Sequence, residues 1–208
     1  MSISAGQNVL LHAATAYQAA QVLKAGFDWA CVPSRSGAWF AAALGFAAQV
    51  PKQIGDGFHA EGFSVSEALW SGAAAGLVGV RDAWTPASAV RLKGWYWPSD
   101  EYQHRVGAFP TLESDYAGQR YFLAIDPGLV PGASIPFPRW LGIAVGHGVD
   151  HWISGTPDPI WYLTLDLNLR GLPITARWWQ TVAAVLDQIH VPLPGLRFET
   201  GQARAGVY

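Results

Sequence analysis

The chain has 208 residues, enough for one domain with a substantial core. Only 13% are charged, half the ~25% of an average soluble domain, while 50% are hydrophobic and eleven are Trp. A net charge of −2 without any basic run excludes a phosphate-tracking surface, and so nucleic acid as partner; the single Cys31 excludes an internal disulfide and a thiolate metal cluster.

The first 23 residues carry no Asp, Glu, Lys or Arg, but they lack the basic leader and cleavage site of a signal peptide. Residues 1 to about 82 predict three helices rich in small residues. Asn8 caps the first, with Leu11, Thr15, Gln18 and Val22 on one stripe and Gly26 as its stop. Pro33 and Ser34 lead into the second, which ends at Pro51. Ser64 precedes Glu67 by the capping-box spacing at the start of the third. The uncharged runs from Ser36 to Pro51 and from Ala68 to Val80 fall short of the about 20 residues that cross a bilayer. They fit tilted, re-entrant or buried helices. Gly37, Ala41 and Gly45 at four-residue spacing, and Gly72 with Gly76, predict close helix contacts; a tightly packed soluble hairpin would use the same residues.

From about residue 88 the period becomes two. Val90, Leu92 and Tyr96 oppose Arg91, Lys93 and Trp95. Tyr121, Leu123 and Ile125 oppose Arg120 and Asp126. Leu141, Ile143 and Val145 oppose Gly142, Ala144 and Gly146. The clearest strand sets Trp161, Leu163, Leu165 and Leu167 against Tyr162, Thr164, Asp166 and Asn168. Such faces fit an outer-membrane strand with lipid outside and a polar interior, or a one-sided antiparallel sheet packed on helices. Four to five strands cannot close a membrane barrel, which needs about eight, so helices or another chain would complete it. A helix at about 174–190 follows, with Trp178, Val182, Val185 and Ile189 on one face, and residues 196–208 suit a final strand. The expected fold is therefore α+β and membrane-associated, in a single domain of residues 1–208.

The motifs HAATAY (12–17), KQIGDGFHAEGFS (52–64), SDYAGQRYFLAID (114–126), FPRWLGIAVGHGVD (137–150), WYLTLDLNL (161–169) and IHVPLPGLRF (189–198) occur in an order that resembles the YfiM-like lipoprotein family of the bacterial envelope, common in Bacteroidetes, and more remotely VanZ-like membrane proteins. The resemblance implies an exported envelope location and no established activity. The chain departs from that pattern at Asn8 and Val9, where the family has an Asp-Lys pair, and at Gln53, where Glu is frequent.

The polar groups of the helical half are His12, Lys52, Asp56, His59 and Glu61. His12 and Asp56 are expected to pair, as a structural interhelical contact rather than as an acid–base couple, because unpaired polar groups are costly among apolar helices. Asp115 and Arg120 belong to a polar cluster at a strand entrance, where ordering the turn is the leading role and ligand contact the minor one. His147 and His151 on a strand stand about 13 Å apart, too far for one ion. The chain has no nucleophile elbow and no dinucleotide or P-loop glycine pattern, so no cofactor or metal is expected. Three functions stay open: a structural or interaction protein of the outer membrane, with lipid and other envelope subunits as partners; a membrane-bound hydrolase of lipid or cell-wall precursors using His12 and Asp56; and a soluble α+β binding module with an aromatic cleft.

Overall fold

The computed structural model describes residues 3–58, 63–106, 114–130, 137–152 and 157–208, without the side chains of residues 3–5, 56, 105 and 106. It is an α+β fold. The helices α1 (Ile3–Trp29), α2 (Ser34–Ala47), α3 (Val50–Gly57), α4 (Val65–Ala83) and the short α5 (Thr85–Ser88) precede β1 (Val90–Tyr96). Then come α6 (Asp100–Val106), β2 (Gln119–Ile125), β3 (Leu141–Asp150), β4 (Asp158–Leu167), α7 (Arg177–Leu186), β5 (Pro194–Glu199) and β6 (Gln202–Val207). The strands form one open six-stranded sheet, antiparallel throughout and in sequence order.

Several boundaries differ from the sequence expectation. Asn8 lies inside α1 instead of capping it, and α1 runs past Gly26 to Trp29. It stops where Cys31 adopts φ 60°. Arg177 of α7 then donates to the carbonyls of Asp28 and Trp29, a cation at a helix C-terminus. The expected second helix is two, because α3 starts at Val50 and holds Pro51 in its first turn, where a missing N–H costs nothing. The C-terminal helix is shorter than 174–190, since Gln188 and His190 leave it to pair with Gly94 of β1. The expected last strand is the hairpin β5–β6, turned by Thr200 and Gly201, both at positive φ.

Helices α1, α2 and α4 pack on one another through small residues: Ala13, Ala16, Ala20, Ala74 and Ala75 are buried with Tyr17 and Val78. Of the small residues expected at helix contacts, Gly45 is the tightest, since a Cβ there would meet the backbone of Ala20 at 2.7 Å. Ala41 is fully buried, and Gly37 has ordinary contact with Phe27. Gly72 has room beside Phe46, and Gly76 has nothing within 4 Å; the close approach on α4 is made by Gly79, under the Trp39 ring. Spacing puts Gly72 and Gly76 on one face, but the neighbouring helix closes one turn further along.

The two faces of the sheet are sorted by size and polarity. One carries rows in register, Val90–Ile125–Ile143–Leu165 and Leu92–Leu123–Val145–Leu163–Leu196. Helix α1 covers this outer face beside β1, where Leu92 packs on the helical core, and at one end of β2 and β3, where Gln7 meets Gln119 and His147. Beyond it Leu123, Ile125, Ile143, Val145, Leu163, Leu196 and Phe198 are 38–47% exposed. The inner face carries Arg91, Lys93, Phe122, Ala124, Ala144, Tyr162, Thr164 and Asp166, all buried. Here Gly195 allows close approach, because a Cβ would stand 2.5 Å from the Leu163 carbonyl.

Candidate functional site

Alternation along β1 and β4 places Arg91, Lys93 and Asp166 on the inner face, and Asp126 follows β2 at the same end of the sheet. The turn after α7 adds Asp187 and His190. Together they form a buried cluster of six ionisable side chains. Arg91 donates to Asp187 at 2.6 Å, to Asp166 at 2.9 Å and to Asp126. Lys93 reaches Asp187 at 3.0 Å, Asp166 at 3.1 Å and the Leu167 carbonyl at 2.7 Å. His190 Nδ1 lies 3.0 Å from Asp166 and Nε2 lies 3.2 Å from the Tyr208 carbonyl, while its ring stacks on Phe122. Both neighbours of the imidazole are acceptors. Asn168 donates to Asp126 at 2.9 Å, and the Leu169 N–H donates to Asp187. Buried charges persist only when paired and hydrogen-bonded, and here every carboxylate has at least two donors.

The electrostatics follow from this wiring. Burial opposes the charged form of Arg91, but Asp187, Asp126 and Asp166 outweigh it and hold the guanidinium pKa above its ordinary value. Burial pushes Asp126 up from the usual carboxylate value, and the Arg91 charge only partly offsets it. Burial also acts to raise Asp166, yet the hydrogen bond from His190 and the charges of Lys93 and Arg91 carry it below that value. The centre that three carboxylates and an imidazole could offer a metal is filled by the Arg91 and Lys93 side chains. Among the described residues no group of three His, Cys, Asp or Glu has metal-holding geometry.

A cavity of about 290 Å³ opens beside the cluster, where α4, α5 and α7 meet the end of the sheet. Arg81, Arg91, Arg139 and Arg170 line it, with Asp126 as the lining carboxylate.

The residues singled out in the sequence lie elsewhere. His12 is 1% exposed, and its Nε2 stands 3.6 Å from Glu67 of α4. Glu67 also accepts from Asn8 at 2.7 Å, while its backbone N–H donates to the Ser64 cap. Glu67, in the first turn of α4, is thus a neighbour of His12. The Asp56 side chain lies outside the described residues, as do His59 and Glu61, and with them the expected pairing. Lys52 is half-buried on α3. Asp115 is buried and accepts from the Ser99 N–H, the Ser99 hydroxyl and the Gly118 N–H, tying the segment after β1 to the start of β2. Arg120 covers the Tyr162 ring. His147 lies 3.2 Å from Gln7 and His151 3.4 Å from Asp158, so each has its own neighbour.

The sequence puts Arg91, Lys93, Asp126 and Asp166 on the polar faces of their strands but does not bring them together, nor add Asp187 and His190. The available signal was that β1, β2 and β4 each place a charge on the face opposite their Leu and Ile residues. Comparison of the chain with protein-family models, with curated proteins and with solved structures returns no match.

Proposed function

We propose that this chain is a structural or interaction protein of the bacterial outer membrane, with the outer face of its sheet seated in lipid. One observation carries the reading: the rows of Leu, Ile and Val beyond β1 are left bare, while the ionic groups are buried on the opposite face. A sheet folded for water alone buries its apolar face. The arrangement here is the one a lipid-facing strand needs, apolar outward and polar inward. Eight of the eleven Trp are exposed, as are Phe40, Leu44, Leu69 and Val185 on three helices, whereas Ala and Gly fill the helix contacts. Large apolar groups outside and small ones between helices suit an apolar solvent. Among the described residues no helix is long and apolar enough to cross a membrane, so the sheet face is the proposed seat. Six strands fall short of the about eight of the smallest membrane barrel, which leaves room for further envelope subunits. The resemblance to YfiM-like envelope proteins points the same way. A hydrolase built on His12 has against it that this ring is buried beside Glu67.

The test is Trp fluorescence of the full chain with phosphatidylcholine vesicles whose acyl chains are brominated. Quenching is expected, and V145K with L163K should abolish it while the far-ultraviolet circular dichroism stays unchanged. A chain that remains unquenched and unbound at excess lipid refutes the reading.

A further inference from the structure

We propose that the cavity between α4, α5, α7 and the end of the sheet is a binding site for a phosphate group, with Arg81, Arg139 and Arg170 as its ligands. Of the ten arginines in the chain, four border this one space, against one carboxylate, Asp126, among the described residues. That carboxylate is committed to Arg91 and Asn168. Arg91 is itself neutralised by three aspartates. The other three arginines form no ion pair among the described residues. Arg81 is held by the Tyr17 hydroxyl at 2.6 Å and the Ser88 carbonyl at 3.3 Å, both neutral acceptors that aim the group without balancing its charge.

The Nε of Arg81 and of Arg91 are buried and closed to the cavity, whereas the Arg139 and Arg170 side chains are exposed. The amide of Gln180 and the hydroxyl of Ser88, which also line the wall, already donate to the chain. What the cavity offers is therefore guanidinium N–H groups carrying three uncompensated positive charges. A phosphate monoester matches this with up to two negative charges and oxygens that accept paired N–H bonds from planar guanidinium forks. A carboxylate would supply one charge only. At about 290 Å³ the space exceeds a bare phosphate, so the group can arrive free or at the head of a larger molecule. The proposal stands on this cavity and not on the seating of the sheet in lipid.

Two probes separate the sources. The full chain in a non-ionic detergent is titrated with inorganic phosphate at constant ionic strength, and with dihexanoyl phosphatidic acid below its micelle concentration, dihexanoyl phosphatidylcholine serving as control. Binding of at least one phosphate probe is expected, with at least a tenfold loss in R139Q/R170Q, both exposed positions whose change spares the core. Tighter binding of the phosphatidic acid marks a lipid headgroup; equal or tighter binding of inorganic phosphate marks a soluble source. In the unmodified chain, phosphate should protect Arg139 and Arg170 from phenylglyoxal while exposed Arg204 on β6 stays reactive. No binding of either probe, unchanged affinity in the double variant, or equal labelling of all three arginines overturns the site. None of these outcomes depends on vesicle association, so this site and the lipid seat fail separately.

Discussion

Asp166 and Asp126 share one guanidinium and respond to pH in opposite directions. Asp166 is held below the ordinary 3.8, so its ionised form favours the fold. That stability is fully present above 3.8 and is lost as pH falls through the depressed folded value. Asp126 is raised above 3.8, so its protonated form favours the fold. That stability is present below 3.8 and is lost as pH rises through the raised folded value. Urea midpoints measured across the acid range should therefore separate the two residues. D166N should lack the loss of stability seen in the parent chain below 3.8, and D126N the decline above it. Profiles parallel to the parent in both variants would show that these carboxylates do not titrate with folding. Part of this cluster was legible in the sequence: Arg91, Lys93 and Asp166 alternate with Leu and Ile, which put them on one face of their strands. Asp187 and His190 were not. Asp187 falls off the apolar stripe of its helix and so reads as solvated, and its partners Arg91 and Lys93 lie more than ninety residues earlier. Periodicity orients a side chain on its own element but does not say which distant element it meets.

At the scale of the element, the glycines of α2 and α4 separate backbone approach from mere flexibility. Gly45 lies against the Ala20 backbone, whereas Gly76 faces open space. An added methyl must push α1 and α2 apart in the first case. In the second it only removes the glycine's excess unfolded-state freedom. Thermal unfolding should show G45A destabilised by about 1–3 kcal/mol, the usual cost of overpacking. G76A should be stabilised by roughly 0.5–1 kcal/mol, as for Gly to Ala inside a helix. Equal effects in the two variants would mean that the α1–α2 contact yields freely. The same logic explains what the sequence left unread here. Spacing of four defines a stripe of small residues, yet Gly79, three residues beyond Gly76, is the one covered by Trp39. The β5–β6 hairpin went unseen for a related reason. Its turn residues, Thr200 and Gly201, are not the Asn-Gly or Asp-Gly pair that announces a two-residue turn, and β6 (QARAGV) carries only one large apolar residue, Val207.

Across the whole molecule, the bare outer face and the buried ionic face are two sides of one arrangement. Each outward Leu or Ile on β2, β3 and β4 has as chain neighbour a residue the interior demands: Ala124, Gly142, Ala144, Thr164 or Asp166. A one-residue shift of register would bury the Leu face and expel the charges, so the observed register is held from within by the ion pairs of Arg91 and Lys93. Lipid contact should then change the environment of the odd-numbered positions on β4 and leave the even ones as they are. The measurement starts from C31S, which removes the exposed native thiol, and introduces L163C, T164C and L165C singly. In detergent-free buffer a water-soluble maleimide should label positions 163 and 165 and spare 164, which is 3% exposed. With phosphatidylcholine vesicles present, positions 163 and 165 should lose that labelling and gain reactivity toward a lipid-dissolved maleimide, while 164 stays unlabelled by either reagent. Alternation that persists unchanged after vesicles are added would place the sheet face in water or against a protein partner. Uniform labelling of all three would deny that β4 is an ordered strand with one buried face.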